Sequence, residues 1–267
     1  MSKLIKFSMA TYTTEITSDK LISDNPIHQR LLKAYMASIP QVKGKLLEIG
    51  CGEGRGVEIL LDQVKSYHGL DQHKELINQL KDKYPESNFE QATIPPMESI
   101  KSNHYDSVVS FQVIEHIKDD LLFLKEIYRV LKPGGVAVIS TPNRKHSLSR
   151  NPWHIREYTS KELIELCQGV FDHVEAKGIG GNDKVWTYHE ANRVSVNKIT
   201  RFDIFDLQHK LPASFLKKPY EFLNRRNRNK LHRQQGSSVA ELTHKDYVVV
   251  DNPEVALDLF YILHKKA

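Results

Sequence analysis

Short apolar runs alternate with amphipathic segments through the first two thirds of the chain. Each run is bounded by polar or turn-forming residues, which is typical of strands. The predicted strands lie near residues 45–50, 66–71, 88–91, 105–111, 136–140 and 172–179. Between them, apolar residues recur every three or four positions, as on one face of a helix. These helices are predicted near residues 54–64, 76–80, 119–131 and 159–169. This order of elements predicts a parallel sheet with helices on both faces.

The two ends of the chain depart from this alternation. Asp24-Asn25-Pro26 is a typical helix start, with proline in the first turn. Residues 182–245 are polar and basic, and an apolar run at 256–263 predicts a last strand. We therefore expect four segments. Residues 1–40 form an N-terminal helical arm or lid, and residues 41–181 form the core. Residues 182–245 form a mostly helical insertion that acts as a substrate lid or surface contact, and residues 246–267 supply a final strand that completes the core sheet.

Four glycines at alternate positions follow the first predicted strand, from Gly50 to Gly56. Because glycine has no Cβ and tolerates positive φ, such a turn suits the close approach of a ligand. The helix after the turn points its free N–H groups at the same place, which favours an anionic group. Asp71 ends the next strand about twenty residues on, where an acid can bind ribose hydroxyls. Together these features predict a nucleoside pocket.

The glycine spacing helps to identify the nucleoside. A dinucleotide fingerprint needs glycines at the first, third and sixth positions, but with Gly50 as the first position the sixth is Arg55. A phosphate-binding Walker loop is also disfavoured, because no Gly-Lys-Ser/Thr follows the turn. A ligand that combines adenosine with a carboxylate, an ammonium group and a cationic centre fits better. That ligand is S-adenosylmethionine.

Composition sets the remaining limits. A chain of 267 residues with 40% apolar content can bury one substantial core with an appended lobe. The two cysteines, Cys51 and Cys167, give no disulfide framework and favour a reducing compartment. No secretion signal or membrane-spanning segment is evident in the sequence. We therefore expect a cytoplasmic protein. The thirteen histidines show no paired ligand spacing, so no metal is expected.

The basicity of the chain is concentrated in one segment. Of the net charge of +5, residues 217–233 carry seven basic side chains against the single acid Glu221, so the rest is nearly neutral. Helical stretches are predicted near 189–200 and 214–234. The basic segment could lie on an anionic membrane surface, bring in an acidic or lipid-linked substrate, touch nucleic acid, or be a lid helix with solvated charges.

Four sequence segments, in order, resemble the motifs of class I S-adenosylmethionine-dependent methyltransferases. The first is the glycine turn with its strand (46–54), and the second is the strand that ends at Asp71 (69–71). The third is the fourth strand with its following residues (105–117), and the last is the helix and turn before the fifth strand (124–135). The resemblance is greatest to small-molecule enzymes such as those that methylate quinone precursors. It implies an α/β, Rossmann-like, seven-stranded, mostly parallel sheet with helices on both faces, the last strand antiparallel, and the helical insertion before that strand.

The resemblance also implies the cofactor contacts by position. The glycines would line the methionine end, Asp71 would bind the ribose, and Phe111 and Gln112 would border the amino group and the sulfonium. Gln91 would lie beside the adenine, although the family usually has an acid there. The full set of implied cofactor residues is Glu48, Gly50, Cys51, Gly52, Gly54, Asp71, Gln72, Gln91, Ala92, Phe111 and Gln112.

Methyl transfer depends mainly on alignment of donor and acceptor, but a hydroxyl acceptor must also lose a proton, usually to histidine. His116 after the fourth strand and His154 after the fifth are the candidates. Either could instead have a structural role, His116 at a helix start and His154 under the insertion. The expected substrate contacts are Tyr12, Trp153, Arg156 and Tyr158. Ordinary packing of Tyr12, and a surface ion pair between Arg156 and Glu157, remain alternatives.

The sequence thus predicts a methyltransferase that acts on a small or lipid-linked metabolite, with oxygen as the expected acceptor atom. Peripheral membrane contact through 214–233 is one option, and a nucleic-acid partner is not expected. Phe111-Gln112-Val113-Ile114 stands where enzymes that methylate base amino groups carry an Asn/Asp-Pro-Pro-Tyr/Phe tetrad. An RNA methyltransferase that uses 217–233, and a cofactor-binding module without catalysis, are the alternatives.

Overall fold

A computed structural model describes residues 21–201, 203, 206–235 and 237–267, with the backbone alone at residues 235, 237 and 238. Tyr12 and the first half of the predicted arm lie outside these residues. Eight strands form one sheet in the order β3-β2-β1-β4-β5-β8-β6-β7. The strands are β1 (Lys45–Ile49), β2 (Ser66–Asp71), β3 (Asn88–Gln91), β4 (Tyr105–Phe111), β5 (Leu131–Pro142), β6 (His173–Gly181), β7 (Tyr247–Val250) and β8 (Asp258–His264).

The sheet is mostly parallel, as predicted, with antiparallel strands at one side. Strands β1 to β5 pair in parallel, whereas β8 runs antiparallel to both of its neighbours, β5 and β6. The prediction of seven strands is wrong, because the single strand expected within 246–267 is two strands. Asn252 and Pro253 interrupt the apolar sequence, and proline lacks the N–H that a strand needs. Tyr247–Val250 therefore pairs separately, antiparallel to the end of β6.

Helices cover both faces of the sheet. Two buried clusters hold these layers together. In one cluster, Phe123 and Leu163 of the fourth and fifth helices pack against β1 and β4. In the other, Tyr35, Leu60 and Ile77 of the first three helices pack against the sheet. The helices are α1 (Asn25–Ser38), α2 (Val57–Leu61), α3 (Lys74–Lys83), α4 (Asp120–Val130), α5 (Ser160–Gln168), α6 (Asp183–Thr200), α7 (Leu207–Lys210), α8 (Ala213–Gln235) and α9 (Ser237–Ala240).

Side-chain caps and glycines set several helix boundaries. Thr159 and Glu162 form a reciprocal capping box at the start of α5, and Asn182 accepts hydrogen bonds from two N–H groups at the start of α6. Helix α2 is shorter than the predicted 54–64, because Gly54 has a φ of +79°, which a right-handed helix cannot contain. Helix α6 begins directly after β6 and is longer than predicted. In the described part of the chain, no helix is both long and apolar enough to cross a membrane.

Backbone hydrogen bonds join the carboxyl ends of the central strands. The N–H groups of Gly50 and Cys51 donate to the carbonyl of Leu70, over 2.8 and 3.0 Å. The N–H of Gln112, just after β4, donates over 2.8 Å to the carbonyl of Ser140 in β5. In open parallel sheets, ligands bind beyond these carboxyl ends. The turns at this edge are thus held in fixed positions where a ligand is expected.

Candidate functional site

A cavity of about 980 Å³ opens at the carboxyl ends of β1, β2 and β4. One side is formed by the strand-end turns. The other side is formed by α1, the loop after β5, and helices α6 and α8. The predicted site residues that line it are Gly50, Cys51, Gly52, Asp71, Gln72, Ala92, Phe111, Gln112, His116, Trp153 and His154.

The glycine turn leaves open space in this cavity. Gly52 has a φ of +52°, and a Cβ added there would have no protein atom within 4 Å. At Gly50, with a φ of +81°, an added Cβ would lie 2.3 Å from Cγ2 of Val113. Gly50 is therefore required by packing, whereas the bare backbone at Gly52 borders the cavity itself. A ligand can approach the backbone at Gly52 where a side chain would otherwise stand.

The carboxylate of Asp71 is fixed between the glycine turn and the next residues of the chain. Its Oδ2 accepts a hydrogen bond from the N–H of Gly52 over 2.9 Å. Its Oδ1 accepts one from the N–H of His73, also over 2.9 Å, and lies 2.8 Å from His73 Nδ1. The side chain is only 10% exposed. The acid predicted to bind a ribose is thus preorganised at the cavity wall.

Glu48 lies behind the turn and does not line the cavity. Tyr35 and Tyr67 donate hydrogen bonds to its two oxygens, over 2.7 and 2.6 Å. Burial raises the pKa of Glu48. The ring of Tyr35 also meets the ring of Phe111 edge-on, with centroids 4.8 Å apart. Glu48 therefore supports the cavity floor from below.

Four other predicted residues also lie outside the lining. Gly54 packs against Leu80, and Gln91 donates to the carbonyl of Gln72 over 3.2 Å. Arg156 and Tyr158 both bond to Asp120, the tyrosine hydroxyl over 2.8 Å. The suggested ion pair between Arg156 and Glu157 is wrong, because the guanidinium pairs with Asp120 in α4. The lining therefore includes none of Glu48, Gly54, Gln91, Arg156 and Tyr158.

Gln112 has a left-handed backbone, with a φ of +57°. Such a conformation is costly for a residue with a Cβ, and structures retain it where neighbouring groups hold it in place. Here the hydrogen bond to Ser140 holds it. The strained residue follows β4 and borders the cavity next to Phe111.

His116 and His154 meet within the cavity wall, with ring centroids 5.0 Å apart and planes nearly perpendicular. Nδ1 of His116 donates to the carbonyl of Trp153 over 3.1 Å, so Nε2 carries the lone pair. Burial, reinforced by the charge of His154, lowers the pKa of His116 to about 4. His116 is therefore neutral near pH 7, and it is a weak base.

His154 is oriented by a carboxylate. Its Nδ1 lies 2.6 Å from Oε1 of Glu157, and a carboxylate in this position favours the tautomer with the proton on Nδ1. Nε2 then accepts a hydrogen bond from the amide of Asn151 over 2.7 Å. Glu157 is itself held by the hydroxyl of Ser147. This arrangement is that of a histidine prepared to accept a proton at Nε2.

Glu115, His116 and His154 could also hold a divalent ion. Each offers one ligand atom, and these atoms lie within 4.8 Å of one another. Two imidazoles and a carboxylate suit several transition metals. The absence of a metal was expected from residue spacing alone, and spacing could not reveal a group assembled from two separate loops. A second such group lies at the other end of β6 and β8 and comprises His173, Glu175 and His264.

Sequence reasoning missed several lining residues. Ile27, Leu31 and Tyr35 of α1 were not among the predicted site residues, yet all three line the cavity. Arg30, on the same helix, lines it too and lies 3.0 Å from the buried Asp258 at the start of β8. No local pattern identifies Arg30, because its partner Asp258 lies more than 200 positions further along the chain. The missed lining residues that carry charge are Arg30, Glu53, Arg55, Glu115, Glu157 and Arg228.

Residues of the predicted insertion form the far wall. Tyr188, Asn192 and Val196 project from successive turns of α6, and Asn224 and Arg228 from α8. The spacing of three to four residues places each set on one helix face. The segment between β6 and β7 therefore contributes two helix faces to the cavity wall.

Comparison with known proteins gives consistent matches. A family described as "Methyltransferase domain" matches residues 47–139. A probable S-adenosylmethionine-dependent methyltransferase of Mycolicibacterium smegmatis is 32% identical over 185 residues, covering 67% of this chain and 69% of the relative. One from Mycobacterium tuberculosis is 32% identical over 60% of each chain. A ubiquinone biosynthesis O-methyltransferase of Methylococcus capsulatus is 23% identical over 67% of this chain and 83% of the relative.

Solved structures show the same fold at low identity. An S-adenosylmethionine-dependent methyltransferase of Thermotoga maritima, a possible histamine N-methyltransferase, has a TM-score of 0.54 and 16% identity over 90% of this chain and 92% of its own. An S-adenosylmethionine-dependent methyltransferase of Archaeoglobus fulgidus has a TM-score of 0.54 and 18% identity over 89% and 94%. At this identity the likeness concerns the Rossmann-like fold.

Proposed function

The chain belongs to the S-adenosylmethionine-dependent methyltransferases, and we propose that it methylates a hydroxyl group of a small or lipid-linked metabolite. One observation carries the proposal. The glycine turn with Asp71 and the pair His154–Glu157 border the same cavity of about 980 Å³. Such a volume accommodates a nucleoside cofactor at one end and an acceptor at the other.

The residues at the glycine turn fit the cofactor. The open space at Gly52 is the kind of cradle that a Cβ would fill, and the Asp71 carboxylate faces the same turn. Asp71 would bind the ribose hydroxyls, and the backbone at Gly50 and Gly52 would lie along the methionine part. When bound, S-adenosylmethionine supplies an electrophilic methyl group on a sulfur that leaves as a neutral thioether.

The far half of the cavity would receive the acceptor. Its walls combine the aromatic rings of Trp153, Tyr188 and Tyr220 with the polar side chains of Asn192 and Asn224. Rings of this kind bind a flat or apolar body, and a few polar groups fix its orientation. Because the enzyme's main task is alignment, this wall would position the acceptor hydroxyl towards the methyl group.

His154 would take the proton of the acceptor hydroxyl at Nε2. Glu157 holds the required tautomer and stabilises the imidazolium that forms, since its carboxylate lies 2.6 Å from Nδ1. The amide of Asn151, which now donates to Nε2, would yield its place to the hydroxyl. His116 stays neutral beside it, because burial lowers its pKa to about 4. A neutral neighbour avoids repelling the new positive charge.

The choice of oxygen is supported by this proton acceptor and by the relative from Methylococcus capsulatus, whose name specifies O-methylation. The test is an incubation with S-adenosylmethionine and a panel of hydroxyl, amine and RNA acceptors, followed by mass spectrometry of the products. We expect methylation confined to hydroxyl acceptors. Methylation of amines or RNA alone, or cofactor binding with no turnover on any acceptor, would overturn the proposal.

A further inference from the structure

Helix α8 presents two chemically different faces. Tyr220, Asn224 and Arg228 follow one another at intervals of four residues and line the cavity. The opposite side of the helix faces solvent. That side, called here the outer face of α8, consists of Phe215, Lys218, Phe222, Arg226, Lys230 and Arg233, at intervals of three or four residues.

The outer face exposes two large apolar side chains. Phe215 is 71% exposed and Phe222 is 64% exposed. The two are seven residues apart, so they lie on the same stripe of the helix. Both belong to its amino-terminal half, and the basic residues Arg226, Lys230 and Arg233 continue the stripe towards its end. Exposed aromatic residues beside a basic stripe are typical of helices that lie on a membrane surface.

The cations of this face differ from the other cations of the helix. Arg225 and Arg228 pair with Asp24, over 2.7 and 3.0 Å, and Asp24 is fully buried. These two arginines attach α8 to the start of α1. In the described part of the chain, no carboxylate pairs with the four cations of the outer face. Their charge is therefore directed to solvent.

A groove on this face adjoins the cavity at Trp153. It is lined by Lys218, Phe222 and Arg226, and also by Trp153, which lines the cavity as well. Trp153 packs against Tyr220 with ring centroids 5.8 Å apart, and the ammonium of Lys217 lies 5.6 Å from the Trp153 ring. An acceptor that enters along the groove would pass this tryptophan to reach His154.

We propose that the outer face of α8 docks on an anionic lipid surface, with Phe215 and Phe222 inserted at the level of the headgroups, and that the groove admits a lipid-linked acceptor from that surface. This rests on the proposed function, whose substrate class it specifies. Charge complementarity identifies the partner, because each basic residue near an anionic membrane strengthens binding about fivefold. The two phenylalanines at the apolar end of the stripe add hydrophobic burial to this electrostatic attraction.

An RNA partner would need a different arrangement. Backbone-tracking sites for single strands combine a basic groove with aromatic rings distributed along it. Here both exposed rings lie at one end of the face, with Lys218 between them, and the other three cations extend beyond them. The separation suits a planar interface, in which rings enter the apolar layer and cations stay among the headgroups.

The test measures cosedimentation of the full chain with vesicles of phosphatidylcholine alone or mixed with phosphatidylglycerol. We expect binding only to the mixed vesicles. The variant Arg226→Glu/Lys230→Glu should bind them at least about 25-fold more weakly, since two favourable charges are lost and reversed. Phe215→Ser/Phe222→Ser should also lose binding, at unchanged net charge. The matched control Lys65→Glu/Lys81→Glu changes the net charge equally, away from α8, and should bind almost as the parent does.

Several outcomes would overturn the inference. They are no binding to the mixed vesicles, equal losses in the Lys65/Lys81 control, or tighter binding of a single-stranded RNA that both outer-face variants abolish. Methyl transfer to a water-soluble hydroxyl acceptor, measured on the same variants, separates this inference from the proposed function. Normal transfer by a parent chain that does not bind the mixed vesicles refutes docking alone. Vesicle binding without transfer to any hydroxyl refutes the proposed function alone.

Discussion

The carboxylate of Asp71 accepts a hydrogen bond from the backbone N–H of Gly52, with 2.9 Å between Oδ2 and the nitrogen. The bond joins the end of β2 to the turn after β1. It couples the two features on which the cofactor assignment depends, since movement of the acid would release the turn. The turn and the acid are therefore mechanically coupled, and each can be substituted while the other residue is left unchanged.

We expect Gly52→Ala to lower the affinity for S-adenosylmethionine at least tenfold, because the methyl group enters the open space of the cavity. Positive φ also costs a residue with a Cβ about 1–2 kcal/mol of stability. Gly134→Ala is the matched control, since Gly134 has a φ of +73° and an added Cβ meets only Ala267, at 3.9 Å. Urea unfolding should show equal destabilisation of the two variants. Calorimetric titration should show that only Gly52→Ala loses affinity for the cofactor. Normal affinity in Gly52→Ala would place the cofactor elsewhere.

Asp71→Asn should weaken cofactor binding by about 1–3 kcal/mol, because one acceptor for the ribose hydroxyls becomes a donor. The remaining oxygen can still accept from Gly52, so the turn is preserved. Asp106→Asn provides the comparison, as Asp106 likewise accepts from a neighbouring strand, at the N–H of Lys45 over 2.8 Å, but lies at the opposite edge of the sheet. If both variants bind the cofactor like the parent, Asp71 does not contact the ribose.

The turn and the acid of the proposed cofactor half could be placed from the sequence because their signals are local. Strand, glycine turn, strand and acid follow within about thirty residues, and each has a fixed geometric meaning. The role of Glu48 was not predictable. Its two carboxylate oxygens accept hydrogen bonds from Tyr35 in α1 and Tyr67 in β2, and only the folded structure brings those hydroxyls to it.

His154→Ala should reduce kcat about 10²–10⁴-fold with unchanged cofactor affinity, which is the usual contribution of a general base. Glu157→Gln should reduce kcat less, since the imidazole remains but loses the carboxylate at 2.6 Å from Nδ1. His104→Ala, remote from the cavity, is the control. Steady-state rates are measured with a hydroxyl acceptor at saturating cofactor and acceptor. A larger effect in His116→Ala than in His154→Ala would assign the proton transfer to His116.

Glu115 should make stability fall as the pH rises. Burial raises its pKa from 4.5 to about 7, whereas the unfolded chain titrates near its ordinary value. Between these values the folded state binds more protons, so the free energy of unfolding decreases with rising pH, by about 3 kcal/mol for this group. Asp258, with a pKa raised by burial to about 6, acts in the same direction.

The variant Glu115→Gln isolates this effect, because its amide oxygen can still accept from the hydroxyl of Thr141, now 2.8 Å from Oε2. Urea unfolding at about pH 5 and about pH 7.5 should show a smaller loss of stability in the variant than in the parent. Identical losses would mean that Glu115 is ionised throughout, with another group responsible for the dependence.

The acceptor half shows where sequence reasoning stops. The eight-stranded sheet differs from the expected seven because Pro253 divides the last apolar segment, and a short edge strand such as Tyr247–Val250 has little periodicity to detect. Sequence adjacency suggested an ion pair between Arg156 and Glu157 as an alternative to substrate contact, but the partner of Arg156 is Asp120. Long-range pairing of this kind depends on how α4 packs against the loop after β5, which no local pattern encodes.

The two proposed ends of the cavity are encoded by separate stretches of the chain, the proposed cofactor end before residue 113 and much of the proposed acceptor end after residue 182. Mutations in α6 or α8 can therefore reshape one ligand's environment while the other's stays intact. A library that varies Tyr188, Val196 and Asn224 is accordingly a direct route to altered acceptor choice. The same separation lets natural variants diversify without rebuilding the machinery that handles the methyl donor.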